Sequence, residues 1–228
     1  WRFEEQTACG QTQGAVAWTN DVPARVLWPG SALKTNTTAL VFTGVPASGS
    51  DIAPAGGECA VAANQLGALR AGDLTVEAYV KVHQLTGRHM LLVSKRRFGQ
   101  SGASFSLSIA PDGQLGVRFD TQPGRSGPGF NQLVGSSYSF DDTAWHHVAL
   151  VYRHATQEAT LFVDYTLVGK GTLMNPLVMD ESPLIVGRGL SGTLDEIRLS
   201  SEALHPEQFL RATRFYSDLT PKKVVSQP

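Results

Sequence analysis

The chain has 228 residues, 42% of them hydrophobic and 17% charged, with a formal net charge of -1. That balance suits a globular protein of one large β domain or two small ones and excludes a disordered chain. It leaves no broad basic field for nucleic acid or an anionic membrane, and the apolar runs are too short and too often broken by charge or Gly for a transmembrane helix.

Trp1-Arg2-Phe3-Glu4-Glu5 lacks the apolar core of a signal peptide, so any such segment is expected to have been removed or to lie outside this sequence. The N-terminal third is the least regular part. Cys9 and Cys59 both fall there, at a spacing that fits no zinc motif. One disulfide is the simplest reading, because the surrounding Gly-, Ala- and Thr-rich sequence needs a staple. It would close a loop of about 50 residues and stabilise the fold by roughly 4 kcal/mol in the chain-entropy model. A bridge would place the protein in an oxidising compartment, whereas two reduced buried thiols would fit the cytosol. Ala39 to Gly44 reads as a short strand ended by Gly, and Val45 to Glu58, rich in Pro, Gly, Ser and Ala, reads as loop.

From Asp73 the pattern sharpens. Leu74, Val76, Ala78 and Val80 share one face of a strand, and Thr75, Glu77, Tyr79 and Lys81 take the other. Met90 to Ser94 is a compact apolar strand. Phe105, Leu107 and Ile109 alternate with Ser104, Ser106 and Ser108, which predicts one buried and one solvated face. Pro111-Asp112-Gly113 turns the chain into Leu115, Val117 and Phe119, a hairpin. In a second hairpin Val148, Leu150 and Tyr152 share a face, His154 to Gln157 make the turn, and Ala159, Leu161, Val163 and Tyr165 return. Pro183 to Val186 and Thr193 to Leu199 supply two more strands. Glu202 to Ala212 reads as a helix with Pro206 in its first turn. Residues 215–228 read as a tail or linker, and there is no fixed-period repeat.

Several of these segments resemble one family. Gly72-Asp73-Leu74-Thr75-Val76-Glu77-Ala78-Tyr79-Val80 is similar to the opening signature of the laminin-G-like, concanavalin-A-like jelly rolls of the lectin/glucanase superfamily. Ala144-Trp145-His146-His147-Val148-Ala149-Leu150-Val151-Tyr152 resembles the family's central strand, and Leu161-Phe162-Val163-Asp164 with Gly169 its next strand and turn. Gly192-Thr193-Leu194-Asp195-Glu196-Ile197-Arg198-Leu199-Ser200 resembles its closing strand, followed at Ala203-Leu204 by the start of a short helix. The resemblance implies an all-β, two-sheet antiparallel jelly-roll sandwich with one short C-terminal helix. The domain would span residues 1–214, with a loop insertion at about 45–72, and residues 215–228 would follow it as a tail. It further implies a secreted or cell-surface setting, frequent calcium, and binding to carbohydrate or protein more often than catalysis.

Sandwich glucanases of this fold carry a Glu-x-Asp-x-x-Glu arrangement that sets a nucleophile and an acid on either side of the scissile bond. No such motif occurs here. Asp195 and Glu196 are adjacent, so a regular strand sends them to opposite faces, and the same geometry separates His146 from His147. Nor is there a Gly-x-Ser-x-Gly elbow, a His-Glu-x-x-His helix or a Walker loop.

On the strand period Asp195 shares a face with Thr193, Ile197 and Leu199, where a carboxylate must be hydrogen-bonded, paired or bound to a metal. Two readings stand: a structural calcium, for which the resemblance and the ion's oxygen preference argue and to which Glu5 or Glu4 would add a second carboxylate, or backbone N–H bonds that lock a turn. Glu196 is expected to pair with Arg198 at the surface. Trp145 is expected in the core and the histidines at strand-edge hydrogen bonds. Trp28, beside Pro29-Gly30, is either an exposed aromatic that stacks on sugar or part of a satellite cluster under a long loop, and Asn36-Thr37-Thr38 is a glycosylation sequon that matters only in a eukaryotic source.

Two long connections carry the groups that recognise sugar hydroxyls or carboxylates. Lys95-Arg96-Arg97-Phe98-Gly99-Gln100 presents cations beside an aromatic, and the Gly/Pro-rich segment Thr121 to Ser139 carries Arg125, Phe130 and Asn131. The expectation is a noncatalytic extracellular module, part of a larger multidomain chain, that binds glycan through Arg96, Arg97, Arg125, Phe130 and Asn131. A protein–protein adhesion or spacer module is the alternative, and a polysaccharide-active enzyme is a third reading.

Overall fold

The computed structural model describes residues 11–23, 26–27, 36–44, 56–66, 72–95, 104–120, 131–179 and 181–212. The described strands are β1 (Gln11–Gln13), β2 (Val16–Thr19), β3 (Val26–Leu27), β4 (Ala39–Phe42), β5 (Glu58–Val61), β6 (Leu74–Val82), β7 (Met90–Ser94), β8 (Phe105–Ile109), β9 (Gln114–Asp120), β10 (Asn131–Ser139), β11 (Trp145–Arg153), β12 (Glu158–Val163), β13 (Thr166–Thr172), β14 (Leu184–Val186), β15 (Gly192–Ser200) and β16 (Arg211–Ala212). They form a first sheet ordered β1-β5-β14-β7-β8-β9-β10, a second ordered β13-β12-β11-β6-β15-β4-β2, and a small β3–β16 ribbon, every pairing antiparallel.

The period-two pattern explains the sandwich. Leu74, Val76, Ala78, Val80, Val148, Leu150 and Tyr152 from the second sheet meet Phe105, Leu107, Ile109, Leu115, Val117 and Phe119 from the first in one continuous core. Each large apolar side chain buried there contributes about 2 kcal/mol. Edge strands of the two sheets also approach along one side, where a Cβ on Gly169 of β13 would come 2.5 Å from the Gly135 carbonyl of β10, so only glycine fits.

Local pattern fails where turns and bulges intervene. Segment 121–139 is not all loop: residues 131–139 form β10, an edge strand whose Gly135, Ser136 and Ser137 carry little β signal. Likewise the expected insertion contains β5, which joins the first sheet between β1 and β14. The expected C-terminal helix is a single 3-10 turn at Pro206–Gln208, because Phe209 and Leu210 are drawn out into an extended, buried path. Tyr165 leaves the strand face of Ala159, Leu161 and Val163, since Asp164 and Tyr165, with φ of 46° and 67°, make a two-residue hairpin turn.

At β15 the register slips between Asp195 and Arg198, and Glu196 takes a φ of 48°. This one-residue bulge reverses the parity of the strand. Asp195 and Arg198 therefore share the outer face, opposite Tyr79 and Glu77, while Ile197 turns into the core. The regular-strand reading, which set Asp195 beside Ile197 and Leu199, is corrected on this point.

Candidate functional site

The outer faces of the two sheets differ in kind. Over the second sheet lies a covering layer made by the chain after β2 and by residues 201–212, tied together by the β3–β16 ribbon. Beneath it Glu77 and His147 are fully buried. Glu77 accepts hydrogen bonds from His147 Nε2 at 2.9 Å and the Leu210 N–H at 2.8 Å on one oxygen, and from Arg198 on the other. Arg198 also donates to the Gln208 carbonyl at 2.7 Å, and the Tyr79 and Tyr165 hydroxyls converge on the Leu210 carbonyl at 3.2 and 3.1 Å. His147 stacks on Tyr165 with centroids 4.8 Å apart, and Phe209 packs with Phe162, Ala149 and Val151. Charge and aromatic surface here serve the chain's own C-terminal strap. Arg198 thus pairs with Glu77, not with Glu196, which is itself fully buried at the bulge.

Asp195, also buried, accepts the Glu196 N–H at 2.8 Å and the Asn36 amide at 2.8 Å, and that amide also donates to the Pro23 carbonyl at 3.1 Å. Asn36 Nδ2 thus stands where two oxygens converge, an engagement that makes the sequon nitrogen a poor glycan acceptor. Among the described residues no three His, Cys, Asp or Glu side chains group to hold a metal ion. Glu5, like Glu4, Trp28 and Cys9, lies outside the described residues, while Cys59 is buried on β5.

Trp145 is not a core residue. It projects from the outer face, half-buried, and its indole donates to Asp21 at 3.1 Å beside the Lys81–Asp21 ion pair at 2.6 Å. His146 points the other way, between the sheets, with its two nitrogens 2.7 Å from Asp164 and 2.9 Å from Asp142. Burial opposes its charge, but the hydrogen bonds it donates to Asp164 and Asp142 outweigh burial and raise its pKa to about 9. Burial, followed by the charges of Asp164, Asp142 and Asp141, pushes the adjacent Tyr138 up to about 12. These groups fasten strand ends, with His146 nearly buried and Asp142 half-exposed.

The first sheet offers a different surface. One row across its outer face runs Ile185, Ser94, Ser106, Arg118 and Leu133; the next runs Leu91, Ser108, Gly116 and Gly135. The serines are buried, not solvated as their alternation suggested, and Ser94 bonds Ser106 hydroxyl to hydroxyl at 2.6 Å. Gly116 and Gly135 pair directly, and a Cβ added at Gly135 would meet nothing within 4 Å. Leu133 is 64% exposed, and Arg118 is exposed and enters no ion pair among the described residues. In these two rows only Arg118, Leu133 and Gly135 are exposed, Arg118 unpaired among the described residues, while Gly116 lies buried beside Leu133 and the serines are covered.

The ladder places Ser94 opposite Ser106 and Asp120 opposite Asn131, so segments 96–103 and 121–130 leave the same end of this sheet. Arg96, Arg97, Arg125 and Phe130 lie outside the described residues, and Asn131 is described only as the first residue of β10, opposite Asp120. At that end Lys95 Nζ bonds the Ser182 carbonyl at 2.8 Å, and Ser182 Oγ bonds the Lys95 carbonyl at 3.1 Å, so the base of the β7–β8 connection is fastened to the chain before β14. Sequence reasoning missed Arg118, Leu133 and the glycine pair. Alternation in β9 does turn Arg118 away from the core, but Gly116 and Gly135 stand out only once β9 and β10 are paired.

Two antiparallel seven-stranded sheets packed face to face define a jelly-roll sandwich. The chain belongs to the concanavalin A-like lectin/glucanases superfamily, the Laminin_G_3 family model matching residues 55–209. A comparison with curated proteins found no match. Among solved structures, the CBM40 of the Ruminococcus gnavus IT-sialidase is 13% identical, with a TM-score of 0.52 over 66% of this chain and 89% of that one. A structure of botulinum neurotoxin type C, whose cell entry depends on two ganglioside molecules, is 10% identical, with a TM-score of 0.57 over 90% of this chain and 46% of that one. The binding domain of botulinum neurotoxin DC in complex with rat synaptotagmin II is 9% identical, with a TM-score of 0.56 over 91% and 47%. At these identities the likeness establishes the fold.

Proposed function

We propose that this protein is a noncatalytic extracellular module that binds carbohydrate on the outer face of its first sheet. The carrying observation is the exposed corner of that face, where Gly135 opens onto free space beside the exposed Leu133 and Arg118. The open, side-chain-free position at Gly135 admits a sugar ring, the exposed Leu133 covers its apolar face, and the Arg118 guanidinium donates paired hydrogen bonds to its oxygens. The strand ends that launch segments 96–103 and 121–130 border this face, which suits loops that add specificity to a rigid scaffold. Similar structures that bind sialyllactose, or belong to a toxin dependent on gangliosides, support the reading by analogy of fold alone.

Among the described residues the buried carboxylates Glu77 and Asp195 are turned onto the protein's own N–H groups, which favours binding over hydrolysis. A Cys9–Cys59 bridge and a structural calcium at Asp195 with Glu5 belong to the same extracellular reading. Intact mass with and without reductant tests the bridge, and two free thiols in the oxidised sample would remove it. Leu167 and Met174, 52% and 74% exposed, favour protein contact as the second reading.

The test is a glycan-array screen of the protein beside its Gly135→Gln variant. Because the added side chain enters open space in a strand, folding stability is expected to be unchanged or slightly raised. Glycan binding is expected to fall at least about tenfold, which a loss of roughly 1.4 kcal/mol produces. Unchanged affinity would remove this corner from the site. An array silent for both proteins would end the carbohydrate reading in favour of the adhesion module.

A further inference from the structure

Strands β7 to β10 are neighbours in the first sheet and come from one contiguous stretch of chain, Met90–Ser139. That stretch holds five basic residues, Lys95, Arg96, Arg97, Arg118 and Arg125, and two acidic ones, Asp112 and Asp120, in a chain whose net charge is -1. Asp112 sits in the β8–β9 turn, at the end of the sheet opposite the Ser94 and Asp120 ends of the strands. Asp120 follows Arg118 on the same face of β9, yet the two form no ion pair and Asp120 is half-buried with contacts of its own. Around Arg118 stand Ser106 and Leu133 across the ladder and Gly116 along the strand, none of which neutralises it. Ser106 has already spent its hydroxyl on Ser94.

A guanidinium exposed and unpaired among the described residues, beside uncharged Gly135 and Leu133 and in a stretch with five basic and two acidic residues, is complementary to an anion. We infer that the saccharide held at this corner is acidic, its carboxylate or sulfate taken by Arg118. The inference rests on the corner being the carbohydrate site and adds the class of ligand.

The experiment is titration calorimetry with three versions of one oligosaccharide, neutral, carboxylated at its terminal sugar, and sulfated there, with single-stranded DNA as a control polyanion. Wild type, Arg118→Gln, Arg118→Lys and Gly135→Gln are compared. Arg118 is exposed and unpaired, so its variants are expected to fold as the wild type does. The expected result is at least about tenfold tighter binding of an acidic version than of the neutral one, a preference abolished in Arg118→Gln and only partly kept in Arg118→Lys, whose ammonium lacks the planar fork. Whichever acidic version binds tighter names the anion.

Neutral binding that Gly135→Gln abolishes, with no acidic preference in the wild type, would overturn the ligand class and leave the site standing. An acidic preference that survives in Arg118→Gln would overturn the role of Arg118. DNA binding equal to that of the acidic sugar would overturn the saccharide class. Silence toward all three sugars would overturn this inference and the proposed function together.

Discussion

Glu77→Ala is the sharpest test of how the second sheet is held together. The carboxylate has no exposed surface and receives three donors: His147 Nε2, the Leu210 N–H and the Arg198 guanidinium. Deleting it strands a buried imidazole, a buried peptide N–H and a nearly buried cation at once. Breaking a buried ion pair from one side costs about 3–5 kcal/mol, and hydrogen bonds to a charged group such as these three contribute roughly 1.5–3 kcal/mol each, less than additively. The expected loss is therefore about 4 kcal/mol, read as a lowered midpoint in urea with an unchanged slope. Because Leu210 loses its anchor, the strap over residues 201–212 should loosen before the sandwich does, and trypsin should cut after Arg211 faster in the variant under native conditions. Glu77→Gln should lose less, about 2 kcal/mol, since one acceptor survives. In Glu77→Leu combined with Arg198→Met, the share due to the stranded cation should return, while the His147 Nε2 and Leu210 N–H stay without their acceptor. A Glu77→Ala loss below about 1 kcal/mol, or a double variant as weak as the single, would refute the account of a buried charge as the pin of the strap.

Two further outcomes follow from other buried groups. His146 has a folded pKa raised to about 9, above its ordinary 6.5, so its contribution is fully present below pH 6.5 and fades as pH rises through about 9. With Asp142 half-exposed and screened, that contribution should be about 2 kcal/mol, and His146→Asn should flatten the fall in stability between pH 6.5 and 9. A wild-type curve already flat over that interval would refute the clamp. Asp195→Ala removes the partner of the Asn36 amide and the Glu196 N–H and should destabilise by about 2–3 kcal/mol. Thermal melts of the wild type with calcium and with a chelator decide the ion: a rise in Tm with calcium that Asp195→Ala abolishes places it there, and superimposable melts leave the Asn36 amide and the Glu196 N–H holding that carboxylate without it.

Period-two alternation is a local property, set by the backbone and by which side chains water rejects, so the strands from Leu74 onward and the two-sheet class were legible residue by residue. Motifs such as Trp145-His146-His147 carried the family for the same reason, although their roles did not follow: Trp145 faces outward, and His147 ends up inside a charge network. Alternation says which residues share a face, not what lies over that face. Glu77 and Ser106 occupy equally polar positions, yet a strap from the far end of the chain buries the first, while Arg118, one strand from Ser106, stays open. Parity itself is lost wherever the register slips, as it does at Glu196, because one extra residue sends everything beyond it to the other face. The exposed corner belongs to this second kind of knowledge. Arg118 and Leu133 lie apart in the sequence and meet beside Gly135 only when antiparallel pairing sets β9 against β10, so the candidate site exists in the tertiary structure and not in any one segment.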